Sequence, residues 1–417
     1  MYICLIPNLI SLNSRNKLKI LNDPIYGFIT IPNACIFDII EHKYFQRLRR
    51  ISQMGLSYLV YPGAHHSRLH HALGCMHLMD QAVQVLRFKQ IEISEEEKEA
   101  LMIAILLHDI GHGPFSHALE QSLVEEVSHE SISLRFMEKL NIEFNQRLTL
   151  AIKIFKGEYH RKFFLQLIAS QLDMDRLDYL KRDSFYTGVA EGNINSKRLI
   201  AMLNVKDDQL VIEEKGIYSV EKFLVARRLM YWQVYFHKTS LVAEQLLIRV
   251  LKRAKQLVDR GEKLPANPAL SFFLIHKIDK TNFDLKVLDT FSKLDDYDVV
   301  SAMKNWVEEK DFVLSNLCKM ILNRDLLKVK LQNEEISEDI FKEEQLKFQQ
   351  KHNLSQEEVD YFVFKEKVSH LAYEHLDPIK ILYKNGELKE VTQASDQFNL
   401  EALSKPVNKY YICHPKS

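Results

Sequence analysis

Glycine and proline are scarce in this 417-residue chain, at 12 and 10, so few positions break a helix and long segments can run as one. The five cysteines, Cys4, Cys35, Cys75, Cys318 and Cys413, are scattered without CxxC spacing. That argues against a zinc ribbon or a disulfide framework and fits a reducing, cytoplasmic setting. Excess charge of either sign is also absent, with 56 basic residues against 56 acidic ones. No overall field draws the chain to a polyanion, and nucleic-acid binding has no support from net charge, although local basic pockets for phosphate stay open. Long apolar runs are missing. The N-terminal MYICLIPNLISL is too short to span a bilayer, and it lacks the leading positive charge and small-residue cleavage site of a signal peptide. Residues 1–17 read as a tail or strand, and no membrane partner is expected.

What is present is helical periodicity. Apolar residues recur at three- and four-residue intervals in AVQVLRF, EEKEALMIAILLHD and VEKFLVARRLMYWQVYF, which predicts a mainly α protein. Two hairpins interrupt it. LKILNDPIYGFITIP (18–32) has turn chemistry at Asn22-Asp23-Pro24 and Gly27, and QLVIEEKGIYS (209–219) is predicted to turn near Lys215-Gly216. Residues 218–260 read as one long helix or two in line, ended by Arg260-Gly261 and Pro265. The expected organisation is a core over 18–261, a more charged helical region over 262–368 without recognisable chemistry, and a small α/β appendage over 369–417 marked by the Asn385-Gly386 turn signal.

Chemistry concentrates in one third of the chain. Nine of the 17 histidines fall between His65 and His129, and the run HDIGHGPFSH (108–117) places three imidazoles and a carboxylate just after an apolar helix. His108 and Asp109 close that helix, where adjacent side chains can both reach one ion. A divalent metal bound by imidazole and carboxylate needs further donors. Upstream, Arg68 and His71 lie three apart on one face of a helix. Downstream, QLDMDRLDYLKRD offers Asp173, Asp175 and Asp178, with Tyr179, Arg182 and Asp183 close by. Spacing alone does not choose among those three aspartates.

In that order, His66/Arg68/His71 (H-x-R-x-x-H), HDIGHGPFSH and DMDRLDYLKRD resemble the HD-domain phosphohydrolases, and most closely the deoxynucleoside triphosphate triphosphohydrolase, or dGTPase-like, branch. The resemblance spans roughly 18–240, including NDPIYGFITI, FQRLRRISQMG and YFHK. It implies an HD-domain helical bundle and a divalent ion (iron, manganese, zinc, nickel or magnesium) held by His71, His108, Asp109 and Asp175. It also implies hydrolysis of deoxynucleoside triphosphates, dGTP among them, between O5′ and the α-phosphorus, releasing deoxynucleoside and triphosphate. His112, His117 and His129 would line the phosphates, with His117 as the acid.

His117 and Glu120 lie one turn apart, a pair that can set a tautomer and tune a pKa. Arg68, Arg176 and Lys181/Arg182 are the cations nearest the ligands in sequence, a guanidinium suits bidentate phosphate binding, and by resemblance Arg68 and Arg176 would contact phosphates. Gln53, Tyr179 and Asp183 would surround the deoxyribose. The resemblance further implies a homo-oligomer and an activating nucleotide at Lys19, Glu41, Gln46 and Arg49. Two other readings use the same residues: a monophosphatase or cyclic-nucleotide phosphodiesterase on this scaffold, and a nucleotide sensor without turnover.

Overall fold

The computed structural model describes residues 19–115, 117–120, 122–124, 126–396 and 403–416, without the side chains of His117 and Glu120. The expected tail over 1–17 lies outside the described residues. Strands β1 (Lys19–Asp23) and β2 (Gly27–Ile31) form the opening antiparallel hairpin, with Asp23 opposite Gly27. Its turn is held by Asp23, whose Oδ1 accepts the N–H groups of Ile25 at 2.9 Å and Tyr26 at 3.0 Å, an Asx turn.

Three helices then build the centre. Arg68–Phe88 starts at Ser67, where Ser67 and His70 cap each other reciprocally, and most of its residues are buried. Glu95–Leu107 starts with the capping box Ser94/Glu97 and three glutamates in its first turn, as the helix dipole favours. Every residue from Ala100 to Leu107 is buried. Met174–Thr187 is capped by Asp173, which accepts the N–H of Arg176 at 2.7 Å. The first of these helices packs against both of the others, and one apolar core continues from Ile29 to Cys413. The fold is the expected mainly α bundle with small β additions.

The second hairpin departs from its expected place. It pairs β3 (Leu203–Lys206) with β4 (Gln209–Glu213), and the turn is Asp207-Asp208, with φ of 51° and 56°. Aspartate tolerates this left-handed region, which a two-residue hairpin requires. Lys215-Gly216 instead leads into the helix Ile217–Met230. The stretch 218–260, expected as one long helix or two in line, is two helices, Ile217–Met230 and Lys238–Asp259, separated by a π-helical turn over Tyr231–Tyr235. That turn matters for function, because it carries two tyrosines toward the site.

The remaining strands are β5 (Lys328–Gln332), β6 (Phe364–His370), β7 (Lys380–Leu382), β8 (Leu388–Glu390) and β9 (Val407–His414). β7 and β8 flank the Asn385-Gly386 turn, and β7 adds in parallel to β4, giving a sheet ordered β3-β4-β7-β8. β9 lies between β5 and β6 in a second sheet. The strands beyond residue 369 are thus shared between two sheets. Among the described residues no helix is long and apolar enough to cross a membrane.

Candidate metal centre and substrate cavity

His71, His108 and Asp175 come close enough, with Cys75 beside them, to share one ion, and Asp109, which also groups with His112 and His129, faces both imidazoles. His71 Nε2 lies 3.1 Å from Asp175 Oδ1 and 3.8 Å from Asp109 Oδ2, while His108 Nε2 lies 3.5 Å from Asp109 Oδ1 and 3.6 Å from Asp175 Oδ1. The outer nitrogen of each imidazole is already bound. His108 Nδ1 donates to the carbonyl of Ile105 at 2.6 Å, and His71 Nδ1 contacts Asp178 Oδ2 at 2.8 Å. These bonds turn both Nε2 atoms toward the carboxylates and set the tautomer that a metal ligand needs. The Nε2 of His108 is buried and has no hydrogen-bond partner. A buried acceptor facing two carboxylates across about 3.5 Å fits a divalent cation, and the mixed nitrogen and oxygen set suits iron, manganese, zinc or nickel.

Electrostatics point the same way. Burial would raise the Asp109 carboxyl, but His108, His112 and Arg68 hold it well below its usual range. For Asp175, burial is likewise outweighed by the neighbouring imidazoles of His108 and His71. Both carboxylates are therefore ionised, as ligation requires. Arg68 Nη1 reaches Asp109 Oδ2 at 2.5 Å. His112 is buried beside Arg68, which pushes its pKa down to about 3, so it is a neutral hydrogen-bonding group at neutral pH. Its ring stacks on His129 at 3.9 Å, and His129 is the first residue of the helix His129–Glu143. His117 and Glu120 fall on the short helix His117–Glu120, but their side chains lie outside the described residues.

A buried ionic chain supports His71 from behind. Asp178 accepts from Arg182 Nε and Nη2 at 2.9 Å each, and Arg182 Nη1 donates to Asp23 Oδ2 at 2.8 Å. The opening hairpin, the Met174–Thr187 helix and the metal-facing imidazole are thereby joined. Replacing Asp178 with asparagine is expected to weaken metal affinity by about 10- to 100-fold, measured by competition with a chelator. Burial raises the Asp178 carboxyl, but Arg182 and His71 outweigh it and bring its pKa to about 2. A depressed carboxyl stabilises the fold above its unfolded pKa and loses that contribution as pH falls through the folded one. The melting temperature should fall between about pH 4 and pH 2, and less steeply in Asp178→Asn; equal slopes would contradict this.

The loop bearing His108, Asp109 and His112 is held by groups the sequence did not single out. Ser133 Oγ accepts the N–H of Gly111 at 2.9 Å and donates to the carbonyl of His108 at 2.7 Å. A Cβ at Gly111 would stand 2.1 Å from the carbonyl oxygen of His129, so only glycine lets the loop lie this close. Buried Arg47 donates to the carbonyls of His112, at 2.8 and 2.9 Å, and Ile110, at 3.2 Å.

A cavity of about 330 Å³ adjoins the cluster, lined by Gln53, Arg68, Phe115, Tyr179, Asp183 and Tyr235 among others. Arg68 belongs to both, touching Asp109 on one side and lining the cavity on the other. Asp183 is buried, with Oδ1 at 2.7 Å from His66 Nε2 and Oδ2 accepting from the Tyr235 hydroxyl at 2.7 Å. It is a fixed acceptor. Gln53, Arg68, Tyr179 and Asp183 are thus brought together, whereas Arg176 does not line the cavity and binds Ser170 and Asp173 instead. Arg182, a candidate phosphate cation by sequence, is committed to Asp178 and Asp23. Among the proposed activator residues, Arg49 Nε donates to Gln46 Oε1 at 2.7 Å, Lys19 Nζ sits 3.7 Å over the ring of Phe37, and Glu41 is exposed. His66 stands in the H-x-R-x-x-H motif and Tyr235 in YFHK, but nothing in the sequence assigns either of them to Asp183.

A histidine and aspartate cluster able to hold a metal ion, beside a cavity that shares one arginine with it, is the arrangement that metal-assisted hydrolysis of a phosphate ester calls for. The HD domain model matches residues 68–183, and the HD associated region matches 194–264. The chain belongs to the HD-domain phosphohydrolases. It is similar to the crystal structure of a phosphohydrolase from Bacteroides thetaiotaomicron, with 52% identity and a TM-score of 0.93, covering 96% of this chain and 100% of that one. It is 34% identical to the uncharacterized protein YwfO of Bacillus subtilis, over 90% of this chain and 88% of that protein. A deoxynucleoside triphosphate triphosphohydrolase SAMHD1 homolog from Dictyostelium discoideum is 32% identical over 60% of this chain and 52% of its own length.

Proposed function

We propose that this phosphohydrolase cleaves deoxynucleoside triphosphates between O5′ and the α-phosphorus, releasing deoxynucleoside and inorganic triphosphate. The observation that carries the reading is Arg68, which links the Asp109 end of the metal cluster to the cavity containing Gln53, Tyr179 and Asp183. His71, His108, Asp109 and Asp175 would hold the divalent ion. When bound, that ion supplies positive charge at an α-phosphoryl oxygen and lowers the pKa of water.

The chain's own residues do the rest. Arg68 fixes phosphate oxygens as a two-pronged donor. His112 and His129 offer ring N–H groups along the phosphates, and the His117/Glu120 pair would protonate the departing O5′. Asp183 accepts a hydrogen bond from a sugar hydroxyl, held in place by His66 and Tyr235. Tyr179 closes the space beside C2′, so that a ribonucleotide's extra hydroxyl is excluded. Lys19, Glu41, Gln46 and Arg49 would bind an activating nucleotide in a homo-oligomer.

The test incubates metal-replete protein with each dNTP, singly and in mixtures, with the matching ribonucleoside triphosphates, and with nucleoside monophosphates and cyclic nucleotides. Triphosphate release from dNTPs alone is expected. Hydrolysis of monophosphates or cyclic nucleotides in its place would assign the site to another HD activity, and binding without any turnover would make it a sensor.

A further inference from the structure

The helix Asp296–Trp306 belongs to the charged stretch in which the sequence showed no chemistry, and it lies beyond residue 264, where the HD associated region ends. Its first residue nevertheless bonds two segments that border the cavity. Asp296 is buried, at 7% exposure. Its Oδ1 accepts the N–H of Phe115 at 2.9 Å and its Oδ2 the N–H of Ser52 at 2.8 Å. Phe115 lines the cavity, and Ser52 directly precedes the lining residue Gln53.

Ser52 is part of a short ladder in which the Gln53 N–H donates to the carbonyl of His66 at 3.0 Å and the Arg68 N–H to that of Ile51 at 2.9 Å. That ladder sets Gln53 beside Arg68. Phe115 ends the loop of His108, Asp109 and His112, and its φ of 50° lies in the left-handed region, which a bulky residue holds only when its surroundings impose it. Gln53, Arg68 and Phe115 all line the cavity. The neighbouring Asp295 accepts from Arg50 Nε at 2.5 Å, so the same helix end grips this wall twice.

We infer that Asp296 is a positioning residue, a single carboxylate that holds the Gln53–Arg68 wall and the Phe115 wall at a fixed spacing. The width of the substrate cavity is therefore set from outside the HD domain. This rests on the nucleotide reading above and extends it to a residue that touches no substrate. A carboxylate suits the task because two N–H donors from separate segments reach different oxygens of it, and an amide supplies one such oxygen.

The test uses the full chain, metal-replete, with Asp296→Asn and Asp296→Ala against Asp289→Asn. Asp289 bonds the Tyr44 hydroxyl at 2.6 Å and Lys139 at 2.7 Å, and neither residue lines the cavity. For dGTP, kcat/KM is expected to fall about 10- to 100-fold in the Asp296 variants, with KM raised, alanine worse than asparagine, metal content unchanged and the control near wild type. A merely structural role would lower the active fraction and leave KM alone. Hydrogen exchange followed by mass spectrometry needs no substrate. Faster exchange in peptides covering 50–54 and 110–115, with normal protection in Arg68–Phe88, is the expected result. Unchanged exchange there overturns the inference, whatever the activity. If the wild-type protein hydrolyses no dNTP, the nucleotide reading fails while the exchange experiment still decides the role of Asp296.

Discussion

Asp109→Ala is expected to abolish triphosphate release, with kcat lowered at least about a thousandfold, and to strip the protein of its metal. The size follows from the number of jobs one carboxylate performs. Oδ1 faces His108 at 3.5 Å and His112 at 3.4 Å, while Oδ2 faces His71 at 3.8 Å and Arg68 at 2.5 Å. Removing it takes away an anionic ligand, the group that aligns Arg68 toward the cavity, and the counter-charge of a buried guanidinium. Asp109→Asn keeps the shape and loses the charge, so it should fail nearly as badly. Metal analysis beside a product assay checks both variants. Retained metal with retained turnover in either one would remove Asp109 from the site.

Gly74→Ala is expected to be the most damaging change that touches no reacting group. A Cβ at Gly74 would stand 2.0 Å from Asp178 Oδ1 and 2.3 Å from Arg182 Nη2. Terminal atoms of long side chains can ordinarily step aside, but these cannot. Asp178 is tied to His71 and Arg182, Arg182 is tied to Asp23, and all four residues are buried. Parting a buried pair costs about 3–5 kcal/mol, well above the gain of about 1 kcal/mol from placing alanine in a helix. The variant should melt at a distinctly lower temperature and lose metal affinity as His71 turns. Thermal melts with and without added metal measure this; wild-type melting and metal content would show that the helices can part without cost.

The parts legible in the sequence are those carried by neighbours along the chain. His108, Asp109 and His112 share one helix end and the loop after it, so their cluster can be read directly from HDIGHGPFSH. Asp175 and Asp178 could not be told apart by spacing, because both face the same imidazole, one at Nε2 and the other at Nδ1. Arg182 and Arg176 looked like phosphate cations because a sequence shows charge and hides its partner. Arg182 is paired with Asp178, one turn away, and with Asp23, 159 positions away. The hairpin expected at Lys215-Gly216 was drawn by glycine, whereas paired aspartates at 207 and 208 adopt the same left-handed turn. Asp296 carried no signal beyond that of a helix start, and its contacts with Ser52 and Phe115 span 244 and 181 positions.

Cleavage at the O5′ side of the α-phosphorus, in the cavity that Arg68 joins to His71, His108, Asp109 and Asp175, fixes where a solvent oxygen must end up. The most direct measurement is turnover of dGTP in water enriched in oxygen-18, with mass analysis of both products. One heavy oxygen on the released triphosphate and none on the deoxynucleoside is the expected result. Label on orthophosphate or pyrophosphate, on the deoxynucleoside, or no triphosphate at all, would contradict it.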